Sequence, residues 1–436
     1  MFNLSKKMYS FQILIIFSIA TIFFSGSFLF AYGQEFENYN VKVVTVAENL
    51  EIPWEIAFVP DGRIFFTERV GNLRVIENGQ LNPEPVAILD VGTVEGGLLG
   101  LALDPNFEQN HFLYLYYTYF EFPFTYNKVV RFTEKDNSLL DEFILVDKIP
   151  GAAIHDGGRL KFGPDEKLYI TTGDAGNSSA AQDLNSLSGK ILRINPDGTI
   201  PSDNPFADSM IFSYGHRNPQ GLDWDPVTGK LVVTEHGSSA HDEINVVESG
   251  KNYGWPKIIG GEHDPEFVDP IIHTGEDTWA PSGATFYDSK NIPEWTNKYF
   301  VATLRGGHLR MLDLNLEENQ VISSEALFSN TYGRLRDASM GPDGNLYLLT
   351  SNRDGRGAPA ENDDRILKII PIISEEKKVG DSSLSPLKQV KTGILPPDVV
   401  CKTGFELILK STTGNPACVF PPTALKLVSV GWGVLP

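Results

Sequence analysis

Met340-Gly341-Pro342-Asp343-Gly344-Asn345-Leu346-Tyr347-Leu348-Leu349-Thr350 runs a turn rich in Asp, Pro and Gly straight into a short apolar strand. Pro presets φ for a turn, and Gly or Asn accepts the positive φ that tight turns need. The apolar residues that follow suit a buried strand. Phe58–Thr67, Phe162–Thr171 and Trp224–Thr234 read the same way. Leu103-Asp104-Pro105-Asn106 precedes a strand over Phe112–Thr118, and a weaker copy runs from Ala284 to Asp288 and on to Tyr299–Thr303. The six copies recur roughly every 45 to 60 residues, a spacing that suits one four-stranded sheet per repeat. No long amphipathic helical pattern interrupts residues 41–370. The fold class expected is all-β, a six-bladed β-propeller. Val41–Ala47 alternates like a strand and is expected to supply the outer strand of the last blade, closing the ring. Loops from all blades then meet at one end of a central channel.

The bulk composition agrees. The chain has 436 residues, 41% of them hydrophobic and 21% charged, with 40 Gly and 28 Pro for many turns. Its formal net charge of −20 argues against nucleic acid and against an anionic membrane surface as partners. A local cluster of Arg therefore opposes the average field and carries information.

The N-terminus reads as a targeting segment. Lys6 and Lys7 precede an apolar stretch from Phe11 to about Ala31, and Ala31 and Gly33 offer small residues before a cleavage point at Gln34. Residues 1–33 are either a cleaved signal peptide or an uncleaved anchor that tethers the chain to a membrane. Both readings put the rest outside the cytoplasm, extracellular or at the cell surface. The only two cysteines, Cys401 and Cys418, flank two short strands around a Gly-Asn-Pro turn. A disulfide across that hairpin is expected in an oxidising compartment. The domain plan is a propeller over residues 41–371, a linker over 372–392 rich in Ser, Glu, Lys and Gly, and a small C-terminal module over 393–436.

Four loops carry chemistry. His155, in Ile154-His155-Asp156-Gly157-Gly158-Arg159, suits a base near neutral pH, with Asp174 of Gly173-Asp174-Ala175-Gly176 available to hold one ring nitrogen. The alternative for His155 is a turn cap. Gly215-His216-Arg217-Asn218-Pro219 offers consecutive donors aimed one way, suited to an oxyanion or a carboxylate. Glu235-His236-Gly237-Ser238, followed by Asp242-Glu243 and Tyr253, presents oxygens of the kind a hard cation takes, or simply acids in a surface loop. Arg305, and the pair Arg334 and Arg336 two residues apart, point to an anionic ligand or to structural ion pairs. Together they describe one pocket for a small polycarboxylate bound through Ca²⁺.

At this point the chain resembles the soluble quinoprotein glucose/sorbosone dehydrogenases, and among them the aldose sugar dehydrogenases. The resemblance rests on Ile52-Pro53-Trp54, Glu95-Gly96-Gly97-Leu98-Leu99-Gly100, His155-Asp156-Gly157-Gly158, Gly215–Gly221, Glu235-His236-Gly237, Asp242–Asn245, Asn252–Pro256, Ala280–Gly283 and Gly333–Asp337. It implies a propeller holding pyrroloquinoline quinone (PQQ) with Ca²⁺, and oxidation of an aldose at C1 to the lactone. It implies His155 as base, Asp174 as its orienting residue and Arg217 beside the reacting quinone carbonyl. It implies cofactor contacts at Glu95, Asn218, Thr278, Arg305, Arg334 and Arg336. Glu95 stands where the family often has Gln, and Arg305 where it often has Lys. The backbone carbonyls of Gly237 and Ser238 fall at the catalytic Ca²⁺, and Asp242, Glu243 and Tyr253 at a second, structural one. The partners implied are a sugar and an external electron acceptor, since no Cys-x-x-Cys-His haem motif is present. A Ca²⁺-dependent propeller lactonase and a non-enzymatic extracellular binding propeller are the competing readings. Which sugar is oxidised, what accepts the electrons and how many copies assemble are not written in the sequence.

Overall fold

A computed structural model describes residues 34–36, 39–92, 95–372 and 381–436. The segment read as a signal or anchor lies outside the described residues. Among the described residues no helix is long and apolar enough to cross a membrane.

Among the described residues, six antiparallel sheets follow one another ahead of a smaller C-terminal one. Sheet I begins with Pro53–Phe58, sheet II with Leu98–Leu103, sheet III with Leu160–Phe162, sheet IV with Pro219–Trp224, sheet V with Pro281–Phe286 and sheet VI with Leu335–Met340. Each Asp/Pro/Gly turn joins the first strand of its sheet to the second, as in Met340 to Leu346 and Phe162 to Leu168. The sheets pack in a closed cycle. First strands touch first strands from I to II, II to III, IV to V, V to VI and VI back to I, and the second strand of III meets the first of IV. Val41–Ala47 pairs with Ile366–Pro371 as an outer strand of sheet VI, so the first and last strands of the cycle of six sheets are tied by one hydrogen-bonded ladder.

Packing explains the strand composition. Second strands such as Leu168–Thr172, Tyr299–Thr303 and Leu346–Thr350 are buried at every residue. A strand covered on both faces reads as a continuous apolar run rather than an alternation. Tyr116 and Leu99 of sheet II share a cluster with Leu160 and Ile170 of sheet III, and Val41 and Val43 share one with Leu348 and Trp295. Each such side chain contributes about 1.5–3 kcal/mol when fully buried. On the ring axis Arg159 Nη1 lies 3.1 Å from Glu55 and 3.0 Å from Asp337, while its Nε donates to the Gln220 carbonyl at 2.8 Å. These four residues belong to different sheets, so one guanidinium ties the ring across its centre.

The C-terminal residues form a separate three-stranded sheet in which Glu406–Lys410 pairs with Pro416–Val419 and with Gly433–Val434. A disulfide joins Cys401 to Cys418. The segment read as a linker is not all extended. Pro386–Lys391 is a helix, with Pro in its first turn and Gln389 buried. Gln389 exchanges hydrogen bonds with the backbone of Val400. Pro at a helix start and Leu, Lys and Gln after it favour the helix locally, which a reading by polarity alone overlooks.

Candidate active site

Antiparallel pairing puts the start of each first strand beside the end of each second strand. The Asp/Pro/Gly turns therefore lie at one end of the ring. Glu95, His155, Arg217, Thr278 and Arg334 precede first strands, and Asp174, Gly237 and Arg305 follow second strands. Every one of these positions falls at the opposite end.

His155 sits in left-handed backbone, φ 63°. Its N–H donates to Glu95 Oε2 at 2.7 Å, which pins the strained residue. Its Nδ1 donates to Asp174 Oδ1 at 2.7 Å, and the other carboxylate oxygen accepts Trp255 Nε1–H at 2.8 Å. Burial alone would raise the Asp174 carboxyl. The hydrogen bond and charge of His155, with donors from Gly176 and Trp255, outweigh it and hold the group below the usual carboxylate range. An imidazole held this way at Nδ1 presents Nε2 as a base.

Consecutive donors in the next loop do not all aim one way. His216 turns into the core, with Nδ1 2.9 Å from Glu235 and Nε2 2.8 Å from Ser213 Oγ, stacked on Tyr253 at 4.7 Å between ring centroids. Neighbours on extended chain face opposite sides, so His216 is structural and Arg217 faces the other way. Arg217 donates to the His236 carbonyl at 3.1 Å and lies 5.3 Å from the centre of the Trp255 ring. Asn218 is fully buried; its Oδ1 accepts Gly157 N–H at 3.1 Å, and its Nδ2 has no partner.

A cavity of about 340 Å³ opens beside this group. Glu95, Thr278, Arg305, Arg334 and Arg336 line it, together with Arg69, Arg356, Gln220, His236 and Asp354. Five guanidiniums face two carboxylates in a strongly acidic protein. Arg334 pairs with Asp354 at 2.7 Å and Arg356 with Glu95 at 3.1 Å. Arg336 has no acid partner among these pairs: Nη1 donates to Gln220 Oε1 at 2.8 Å and Nε is bare. Burial, and then the charge of Arg69, push its guanidinium down to about 9. Burial likewise pushes His236 down to about 4, leaving its Nε2 neutral, buried and unpartnered. Stranded donors beside uncompensated positive charge suit a polyanion.

The candidate cation site fits as well. Among the described residues, neither the Gly237 nor the Ser238 carbonyl accepts a hydrogen bond. Ser239, Ala240 and His241 are all left-handed, and a Cβ on Gly237 would lie 2.0 Å from the His241 carbonyl oxygen. So tight a turn requires Gly there. Asp242 fastens the turn, accepting N–H bonds from Gly237, Trp279 and Ala280 at 2.7–3.0 Å. Among the described residues no group of three or more His, Cys, Asp or Glu side chains converges on a metal position, so a cation here relies on carbonyl oxygens. At the second proposed site the Tyr253 hydroxyl donates to the Val246 carbonyl, while Glu243 accepts Gly260 N–H and Asn245 Nδ2–H. Burial, and then the charge of neighbouring Glu235, raise the Glu243 carboxyl to about 8.

The family model for glucose/sorbosone dehydrogenases matches residues 50–367. The chain belongs to that family. The aldose sugar dehydrogenase of Escherichia coli K12 is 32% identical over 346 residues, covering 72% of this chain and 91% of its own. Quinoprotein glucose dehydrogenase B of Acinetobacter calcoaceticus is 30% identical over 424 residues, covering 72% and 86%. The PQQ-bound structure of an aldose sugar dehydrogenase from Streptomyces coelicolor is 35% identical, with a TM-score of 0.69, covering 76% of this chain and 98% of its own.

The residues around the site that sequence reasoning missed are Arg69, Arg356, Gln220, His236, Asp354 and Trp255. Arg69 and His236 directly follow the second strands of sheets I and IV. The repeat itself would have found them, had every end of a second strand been read as a site position.

Proposed function

We propose that this chain is a six-bladed propeller that oxidises an aldose at C1 to the lactone, using PQQ and Ca²⁺ and passing electrons to an external acceptor. The observation that carries the reading is the His155–Asp174 pair beside an arginine-lined cavity with stranded donors. Arg305, Arg334, Arg336 and Thr278 would hold the cofactor's carboxylates, and the Gly237 and Ser238 carbonyls would hold Ca²⁺. Asp242, Glu243 and Tyr253 belong to a second, structural Ca²⁺ site. When bound, the quinone supplies a two-electron acceptor for the hydride that leaves C1. His155 Nε2 takes the proton of the C1 hydroxyl, and Asp174 stabilises the resulting imidazolium. Arg217 places positive charge where negative charge grows in the transition state, and Asn218 adds a buried donor beside it. Glu95 fixes the His155 backbone at the cavity rim.

The propeller spans residues 41–371 and the C-terminal module 393–436. Lys6, Lys7, the apolar run after them and the Cys401–Cys418 disulfide support export to the cell exterior. A dye-linked assay with a sugar panel, with and without PQQ and Ca²⁺, tests the proposal. Turnover that needs both additions is the expected result; sugar-lactone hydrolysis without PQQ would replace the reading with a hydrolase.

A further inference from the structure

Glu95 and Arg356 come from separate parts of the ring and meet at the cavity. Glu95 precedes the first strand of sheet II, and Arg356 lies in the loop after the second strand of sheet VI, so sheet I stands between them. The two oxygens of the Glu95 carboxylate take different partners. Oε2 accepts His155 N–H at 2.7 Å, and Oε1 accepts Arg356 Nη1–H at 3.1 Å. His155 is the left-handed residue, φ 63°, that carries the base. Arg356 thus reaches the base through a single intervening side chain.

The loop that carries Arg356 is fastened to its own sheet. Asp354 accepts Arg356 N–H at 2.9 Å and Arg334 Nη2–H at 2.7 Å. Asp363 Oδ2 accepts Ala360 N–H at 2.9 Å and Asn352 Nδ2–H at 3.0 Å. A Cβ on Gly357 would lie 2.4 Å from the Asn352 carbonyl oxygen and 2.9 Å from Arg334 Cδ, so only Gly lets the loop lie this close. From that footing the Arg356 side chain, 63% exposed, extends to the Glu95 carboxylate, which is 15% exposed. An ion pair this open on one side contributes little to stability. Its effect lies in where it puts a positive charge.

An unpaired carboxylate beside His155 would favour the protonated imidazole, which cannot accept a proton. Burial alone would raise the Glu95 carboxyl. The His155 N–H, with neighbouring positive charge that includes Arg356, outweighs burial and holds the group below the usual carboxylate range, so Glu95 is ionised. Asp174 and Asp156 are the other acids that act on His155. Arg217 lies within charge range of Asp174, and Arg69 and His236 within charge range of Glu95. Of these basic groups Arg356 is the one at ion-pair distance from Glu95. We propose that Arg356 is a positioning residue for the sugar oxidation: by holding and neutralising Glu95, it fixes the His155 backbone and keeps an unpaired negative charge from that base. The inference rests on His155 acting as the base in the function proposed above.

The test uses the full chain loaded with PQQ and Ca²⁺, with glucose, xylose and maltose as substrates, and the unloaded chain carrying isotope-labelled histidine, followed by NMR. Arg356→Gln leaves Glu95 unpaired. The acid limb of its kcat/KM profile should move to higher pH by about half a unit, with kcat about three- to tenfold lower at neutral pH. Glu95→Gln keeps an acceptor for His155 N–H and leaves Arg356 unopposed, so its limb should move to lower pH by a similar amount. Arg356→Lys keeps the charge and should stay near the wild type. The His155 ring titration in the unloaded chain, assigned by its loss in His155→Asn, should follow the same order. Shifts in one direction for both Gln variants, or unmoved limbs with lowered rates, would overturn the inference and reduce the pair to a tie between loops. If no sugar is turned over at all, the proposed function fails and the ring titration decides alone. Opposite shifts would then still uphold the coupling of Arg356 to His155 through Glu95, and equal or absent shifts would sink both.

Discussion

His155 shows how a single residue joins backbone strain to chemistry. Left-handed backbone costs a residue with a Cβ about 1 kcal/mol or more, and here the Glu95 carboxylate holds it in place. Asn tolerates that conformation and has no basic nitrogen. His155→Asn should therefore fold, take up cofactor as followed by absorbance, and lose turnover by about 10²–10⁴. Wild-type rates in this variant would remove His155 from the reaction. Trp255 touches both catalytic candidates, through Nε1–H to Asp174 and through its ring face to Arg217. Trp255→Phe keeps a ring and removes the donor, so Asp174 becomes a stronger acceptor and favours the charged imidazole. The acid limb of the kcat/KM profile should move to higher pH, with roughly tenfold lower activity at neutral pH. An unmoved profile with lowered activity would mean that Trp255 only packs.

At the level of elements, the turns were legible because Asp, Pro and Gly act locally, whatever surrounds them. Val41–Ala47 was legible as a strand from its alternation, and as an outer strand of the last sheet from the count of repeats; its partner Ile366–Pro371 came only with the fold. Side-chain direction within loops was not legible. His216 and Arg217 are neighbours with opposite surroundings, and only the fold decides which of them turns into the core. Arg356 reaches Glu95 from a distant loop, a contact that no local pattern announces. The Gly237–His241 turn lies between these cases: its Gly was visible, its three left-handed successors were not. Gly237→Ala should open this turn through the clash with the His241 carbonyl. Ca²⁺ affinity, read by calorimetric titration, should then fall at least about tenfold, while the thermal midpoint measured in chelator drops by only a few degrees.

Across the whole molecule, the axial cluster of Glu55, Arg159 and Asp337 couples stability to pH. Burial raises the Glu55 carboxyl from 4.5 to about 7, with Asp337 adding to the rise and Arg159 opposing it. Between those values the folded chain binds more protons than the unfolded one. Glu55 therefore lowers stability as pH rises from about 4.5 to about 7 and changes it little above that. Urea unfolding at pH 5 and pH 7.5 should show this slope in the wild type and a flatter one in Glu55→Gln; equal slopes would mean that Glu55 is ionised throughout.

The six Asp/Pro/Gly bends occupy the pole opposite the cavity, and added atoms at Gly62 or Gly229 would meet nothing within 4 Å. That pole is a natural place for grafting. A short peptide tag inserted after either glycine would anchor the ring face-down on an electrode or bead and leave its mouth open to the bulk solution.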